Sequence, residues 1–134
     1  MRIACLLFAL IALVDLTSCV DMYDPVLWSN GHFTLEYVDA LENASLRSED
    51  TLEAVIPNSV FEVGSNDTYI VAKQHPNRDL SITNYFYINT QEFPRVQPFI
   101  PSEHVIGPLT KDEFLKKSVE LQLPEFSFSI ESLK

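Results

Sequence analysis

The spacing of apolar and polar residues changes several times along this chain, and each change marks an element. Residues 3–14 are continuously apolar, with Arg2 the only charge before them. Such a run suits the hydrophobic part of a secretory signal; crossing a bilayer takes about 20 residues. Beyond Gly31 the period becomes two. Phe33, Leu35 and Tyr37 alternate with Thr34 and Glu36, the pattern of a strand with one buried face. Residues 41–46 read as a weaker strand, 47–50 as a polar loop, and 51–56 as a strand or helical turn ended by Pro57. Residues 59–63 and 69–74 flank Gly64-Ser65-Asn66-Asp67, whose residues accept the positive φ of a hairpin turn. In residues 82–90, Tyr85 and Tyr87 share one face and Phe86 and Ile88 the other. Both faces are apolar or aromatic, so this strand is expected inside a sheet.

The C-terminal third is punctuated by prolines. Pro94, Pro98, Pro101 and Pro108 exclude a helix or a central strand over 93–108 and leave an extended excursion or a sheet edge. Thr110 and Glu113 then have the spacing of a capping box, and Asp112 adds acid to the first turn. Phe114, Leu115, Val119 and Leu121 supply the apolar stripe of a helix over about 111–121, with Lys116 and Lys117 outward and Pro124 as its stop. Phe126, Phe128 and Ile130 alternate with Ser127, Ser129 and Glu131 as a final strand. The fold class is therefore α+β: a small antiparallel β-sheet, one helix and a terminal strand.

The leader ends in Leu16-Thr17-Ser18-Cys19, which resembles the lipobox of bacterial lipoproteins. Small residues flank the scissile bond, and the thiol would accept lipid at the membrane boundary. The resemblance implies a signal peptide over 1–18, a lipidated tether over 19–30 beginning at Cys19, and a single domain over 31–134. Cys5 would leave with the signal and Cys19 would carry lipid, so no thiol remains for a disulfide, a metal or a nucleophile. Membrane attachment through lipid differs from insertion of a spanning helix. Val20 stands where an Asp would favour retention in the inner membrane. An outer-membrane location facing the periplasm is therefore expected.

Charge narrows the partners. Nine Lys and Arg against nineteen Asp and Glu give the 134 residues a formal net charge of −10. Nucleic acid is excluded as a partner, since its phosphates are held by basic side chains. Aromatic residues make up 11% of the chain, too many for a disordered acidic tail.

Candidate chemistry is sparse. His32, His75 and His104 are the imidazoles, and none has the spacing of a metal ligand set. No G-x-S-x-G elbow is present, and the reading is non-enzymatic, with no cofactor and no metal. The segment Lys73-Gln74-His75-Pro76-Asn77-Arg78 is a mildly basic island able to grip an anionic group, and Tyr85 and Tyr87 form an aromatic face. Lys73, His75, Arg78, Tyr85 and Tyr87 are thus the candidate binding residues. The plainer reading of the same residues is a solvated loop and ordinary sheet packing.

From Ile56 onward the chain resembles a family of small, uncharacterised bacterial lipoproteins. The likeness rests on Val63-Gly64-Ser65-Asn66-Asp67-Thr68-Tyr69-Ile70-Val71-Ala72-Lys73-Gln74-His75-Pro76, on Asn84-Tyr85-Phe86-Tyr87-Ile88, and on Gly107-Pro108-Leu109-Thr110-Lys111-Asp112-Glu113-Phe114. It implies an envelope lipoprotein with an antiparallel sheet and a helix, and brings no substrate. The expected function is a lipid-anchored periplasmic binding module; an inhibitor or immunity protein is one concrete version. The alternative is a structural or assembly lipoprotein of the outer-membrane envelope, with an envelope protein as partner.

Overall fold

In a computed structural model, residues 25–51, 53–96 and 99–134 are described; the leader, Cys19 and most of the tether lie outside them. Asn30 and Gly31 turn the chain between Val26–Ser29 (β1) and Phe33–Glu36 (β2), with Gly31 at φ +99° and the Asn30 side chain accepting from the Phe33 amide at 2.9 Å. Strand pairing among the described residues begins at Val26, ahead of the domain start expected at residue 31. Only four residues form β1, and a bulge interrupts its register, so it shows no period.

Ser45–Ser48 (β3) pairs with β2, and Ala54–Ile56 (β4) completes a sheet of order β1-β2-β3-β4. The polar loop expected from residue 47 therefore starts later. Arg47 remains in the strand with its guanidinium outward, 3.7 Å from Glu36, while Leu46 is fully buried. Residues Leu41–Asn43 form a 3₁₀ turn where a weak strand was expected, and Ala54–Ile56 resolves as a strand.

The second sheet contains Val60–Ser65 (β5), Tyr69–Gln74 (β6), Asn84–Asn89 (β7), Ile106–Leu109 (β8) and Phe128–Ser129 (β9), ordered β8-β7-β6-β5-β9. The hairpin forms, with Gly64 and Ser65 kept in β5 and none of residues 64–67 at the positive φ expected: the Asn66 side chain accepts from the amides of Thr68 and Tyr69 at 2.9 and 2.7 Å. Both neighbours of β7 are strands, as its two apolar faces require. Pro108 lies on the edge strand β8, where a missing amide donor is harmless. The final strand is shorter than expected, with pairing confined to two residues.

One buried cluster joins the two sheets. Phe33, Leu35, Leu46 and Ile56 meet Val63, Ile70, Ala72, Phe86 and Ile88 within it, and each fully buried aliphatic side chain contributes about 1.5–3 kcal/mol. The opposite side of the second sheet carries the helix Lys111–Leu121 (α1), which buries Phe114. Thr110 and Glu113 make the reciprocal capping box the sequence predicts. The helix ends before Pro124, at Gln122, whose left-handed backbone (φ 54°) returns its amide to the Ser118 carbonyl. Among the described residues, no helix is long and apolar enough to cross a membrane.

Candidate functional site

Alternation along β6 and β7 puts Lys73, Tyr85 and Tyr87 on one face of the second sheet, and Lys73 is registered directly opposite Tyr85. That face is the one covered by α1. Tyr85 packs 5.1 Å from Phe114 and 6.5 Å from Phe126, centroid to centroid. Lys73 is ion-paired with Glu62, and its ammonium stands 4.5 Å from the Phe126 centroid and 5.5 Å from that of Tyr85. Glu62 also reaches Lys134 at 3.8 Å. Lys73 therefore fastens β6 to β5 and to the segment after the helix, and Tyr85 fastens the sheet to the helix. Tyr87 meets Tyr69 edge-on at 6.2 Å, and both line a cavity of about 300 Å³ with Glu92, His104 and Leu121.

His75 and Arg78 lie elsewhere, beyond the end of β6. His75 is buried, stacked flat on Phe61 at 4.0 Å, with Nδ1 2.8 Å from the Ile82 carbonyl and Nε2 2.6 Å from the Leu133 carbonyl. Arg78 is exposed and donates to the Asn43 side chain at 2.5 Å. Both residues line a cavity of about 460 Å³ whose rim holds Asn58, Asn77 and Arg78 at positive φ. The five candidate residues thus divide between two places, with Lys73 parted from the rest of the basic island. The reason is the strand end at Gln74, which carries His75 out of the pleat and into the core.

One concavity lined by three carboxylates was missed by sequence reading. The turn between β3 and β4 presents Glu49, Asp50, Thr51 and Glu53, and the Pro-rich segment closes over it with Phe99, Ile100 and Pro101, enclosing about 450 Å³. One side is acidic and the other apolar. His32, from the turn between β1 and β2, stands with Nδ1 2.5 Å from Glu49 Oε1, and the Glu49 amide donates to the His32 carbonyl at 2.9 Å. Asp50 lies 3.6 Å from the Arg95 guanidinium. His32, Glu49 and Asp50 offer ligand atoms within 4.8 Å of one another. A divalent cation would have to displace both the His32–Glu49 hydrogen bond and the Arg95 pairing. The sequence signal was the acidic run 49–53, but only the fold brings residues 99–101 against it. His104 contacts the rings of Phe93 and Phe99 at 5.8 and 6.0 Å, so the three histidines engage three different sets of partners.

Two acids near the candidate segments are held below their usual values. Hydrogen bonds from the Ser81 hydroxyl and amide lower Asp79, and bonds from Thr110 lower Glu113. Both are structural turn and cap contacts.

A family model covers residues 30–131, spanning the strands β2–β9 and the helix. The chain belongs to DUF3997, a family of proteins of unknown function. The match includes the hairpin, the aromatic strand and the capped helix, and also the acidic turn at 49–53 with its Pro-rich cover. No curated protein and no solved structure matches the chain.

Proposed function

We propose that this DUF3997 chain is a non-enzymatic binding module, lipid-anchored through Cys19 and facing the periplasm from the outer membrane. Its partner is a basic envelope protein, and an inhibitor or immunity role against a toxic or lytic enzyme fits that pairing. The observation that carries the reading is the concavity in which Glu49, Asp50 and Glu53 face Phe99, Ile100 and Pro101. A basic side chain with an apolar stem suits such a mouth, since its charge meets the carboxylates while its methylenes lie on the apolar wall. A net charge of −10 would accelerate encounter with a cationic surface and make association sensitive to salt.

Anchoring and binding are tested separately. Cys19→Ser or globomycin should block maturation and abolish tight membrane fractionation; unchanged cleavage after residue 18 with membrane retention contradicts the anchor. For binding, the tagged chain is incubated with envelope extract at low and then high salt. A discrete basic protein released by salt supports the reading. Recovery of no partner, or of one indifferent to salt, contradicts it. Salt-resistant co-purification with several outer-membrane proteins would favour the structural alternative.

A further inference from the structure

His75 is the buried imidazole among the described residues, and both of its nitrogens face carbonyl oxygens. The Ile82 oxygen lies 2.8 Å from Nδ1 and the Leu133 oxygen 2.6 Å from Nε2. A carbonyl oxygen can only accept, so each contact is a hydrogen bond only when that nitrogen carries a proton. Neutral imidazole has one N–H. Its bare nitrogen would then oppose the second oxygen, lone pair against lone pair. Imidazolium has two N–H groups and satisfies both oxygens. The Phe61 ring lies parallel to the imidazole, 1° from coplanar and 4.0 Å away, where the negative face of an aromatic ring attracts a cation.

We propose that the folded chain holds His75 as the doubly protonated imidazolium, and that its second proton is a pH-sensitive latch. The latch joins the end of β6 to two segments distant in sequence. One is the loop before β7, through Ile82. The other is the terminal 3₁₀ turn Glu131–Leu133, which places Leu133 in the core.

Asp79, on the turn after His75, accepts from the Ser81 amide and hydroxyl. Beside Phe61 on β5, Glu62 is committed to Lys73 and Lys134. In the terminal turn, Glu131 pairs with Lys134 at 2.9 Å. Arg78 is bonded to Asn43. The remaining lining of the adjoining cavity, Pro57, Asn58, Gln74, Pro76 and Asn77, is uncharged.

The sign follows from the donors. The folded state needs the second proton and the unfolded state does not, so the latch is complete at low pH and is lost as pH rises. Opening frees the terminal turn and loosens Leu133.

Nuclear magnetic resonance of the full chain with ¹⁵N-labelled histidine tests this between about pH 5 and pH 8. At the acidic end both His75 ring nitrogens should carry protons that exchange slowly with water. As the second proton leaves, the protection factor of the Leu133 amide should fall by about tenfold or more, while amides of β2 and β3 stay protected. In His75→Gln, which keeps an amide donor but does not titrate, that protection should change less than about twofold over the same range. One bare nitrogen on His75 at every pH where the chain is folded overturns the proposal. So does an equal fall in protection in the wild type and in His75→Gln. Should His75→Gln not fold, the protonation pattern of the wild-type ring decides alone.

Discussion

Lys73 stands directly across the pleat from Glu62, and its ammonium lies over the face of Phe126, 4.5 Å from the ring centroid. One side chain thus ties β6 to β5 and to the segment that follows the helix. Their side chains are 21% and 11% exposed, so the pair sits where water screens it poorly.

Removing one partner of this pair should cost more than removing both. Lys73→Met leaves Glu62 with only the longer contact to Lys134 at 3.8 Å and is expected to destabilise by about 2 kcal/mol. Lys73→Met combined with Glu62→Gln should recover at least half of that loss. Urea denaturation of the two single variants and the double variant gives the coupling. Strictly additive losses would mean that the two charges do not interact.

Gly64 is fixed by close approach. A Cβ there would collide with the backbone oxygen of Glu125, and the Val63 carbonyl next to it accepts from the Ser127 amide at 2.9 Å. Gly64→Ala should therefore push the 125–129 segment off β5, at a cost near the upper end of about 1–3 kcal/mol. Thermal unfolding measures it, and loss of amide protection at Ser127 locates it. A neutral substitution would show that the segment can shift freely.

The helix cap has its own acid dependence. Thr110 bonds hold the Glu113 carboxyl below the usual 4.5, so the cap's contribution is present above that value and disappears as pH falls through the lowered one. Glu113→Gln should flatten this acid limb, whereas Thr110→Ala, which keeps the backbone amide that donates to Glu113, should lower stability at neutral pH by about 1 kcal/mol and leave the limb largely in place. Chemical denaturation at several acidic pH values checks both effects. An unchanged acid limb in Glu113→Gln would detach Glu113 from the cap.

Legibility in the sequence followed distance along the chain. The hairpin turn held by Asn66 and the Thr110–Glu113 cap are made by residues a few positions apart, and both were readable. Tyr85 and Phe86 on opposite faces correctly indicated an interior strand. The strand β1 was missed because Val26–Ser29 is too short to show a period. His75 was read as a surface residue because the carbonyl that pulls it inward belongs to Leu133, 58 positions away. Likewise the acidic turn became a concavity only when the Pro-rich stretch folded over it. Division of the strands into two sheets has the same origin, since pairing order depends on contacts that no local pattern encodes.

The central claim is capture of a basic partner by the acidic concavity, and salt-dependent retention of that partner tests it most directly. Wild type, the double variant Glu49→Gln with Glu53→Gln, and the control Asp67→Asn, exposed on the hairpin turn, are compared in one envelope extract. The account predicts a discrete basic protein held by the wild type and the control at low salt, released at high salt, and lost by the double variant. Equal recovery by all three chains, or no specific partner for any, would contradict it.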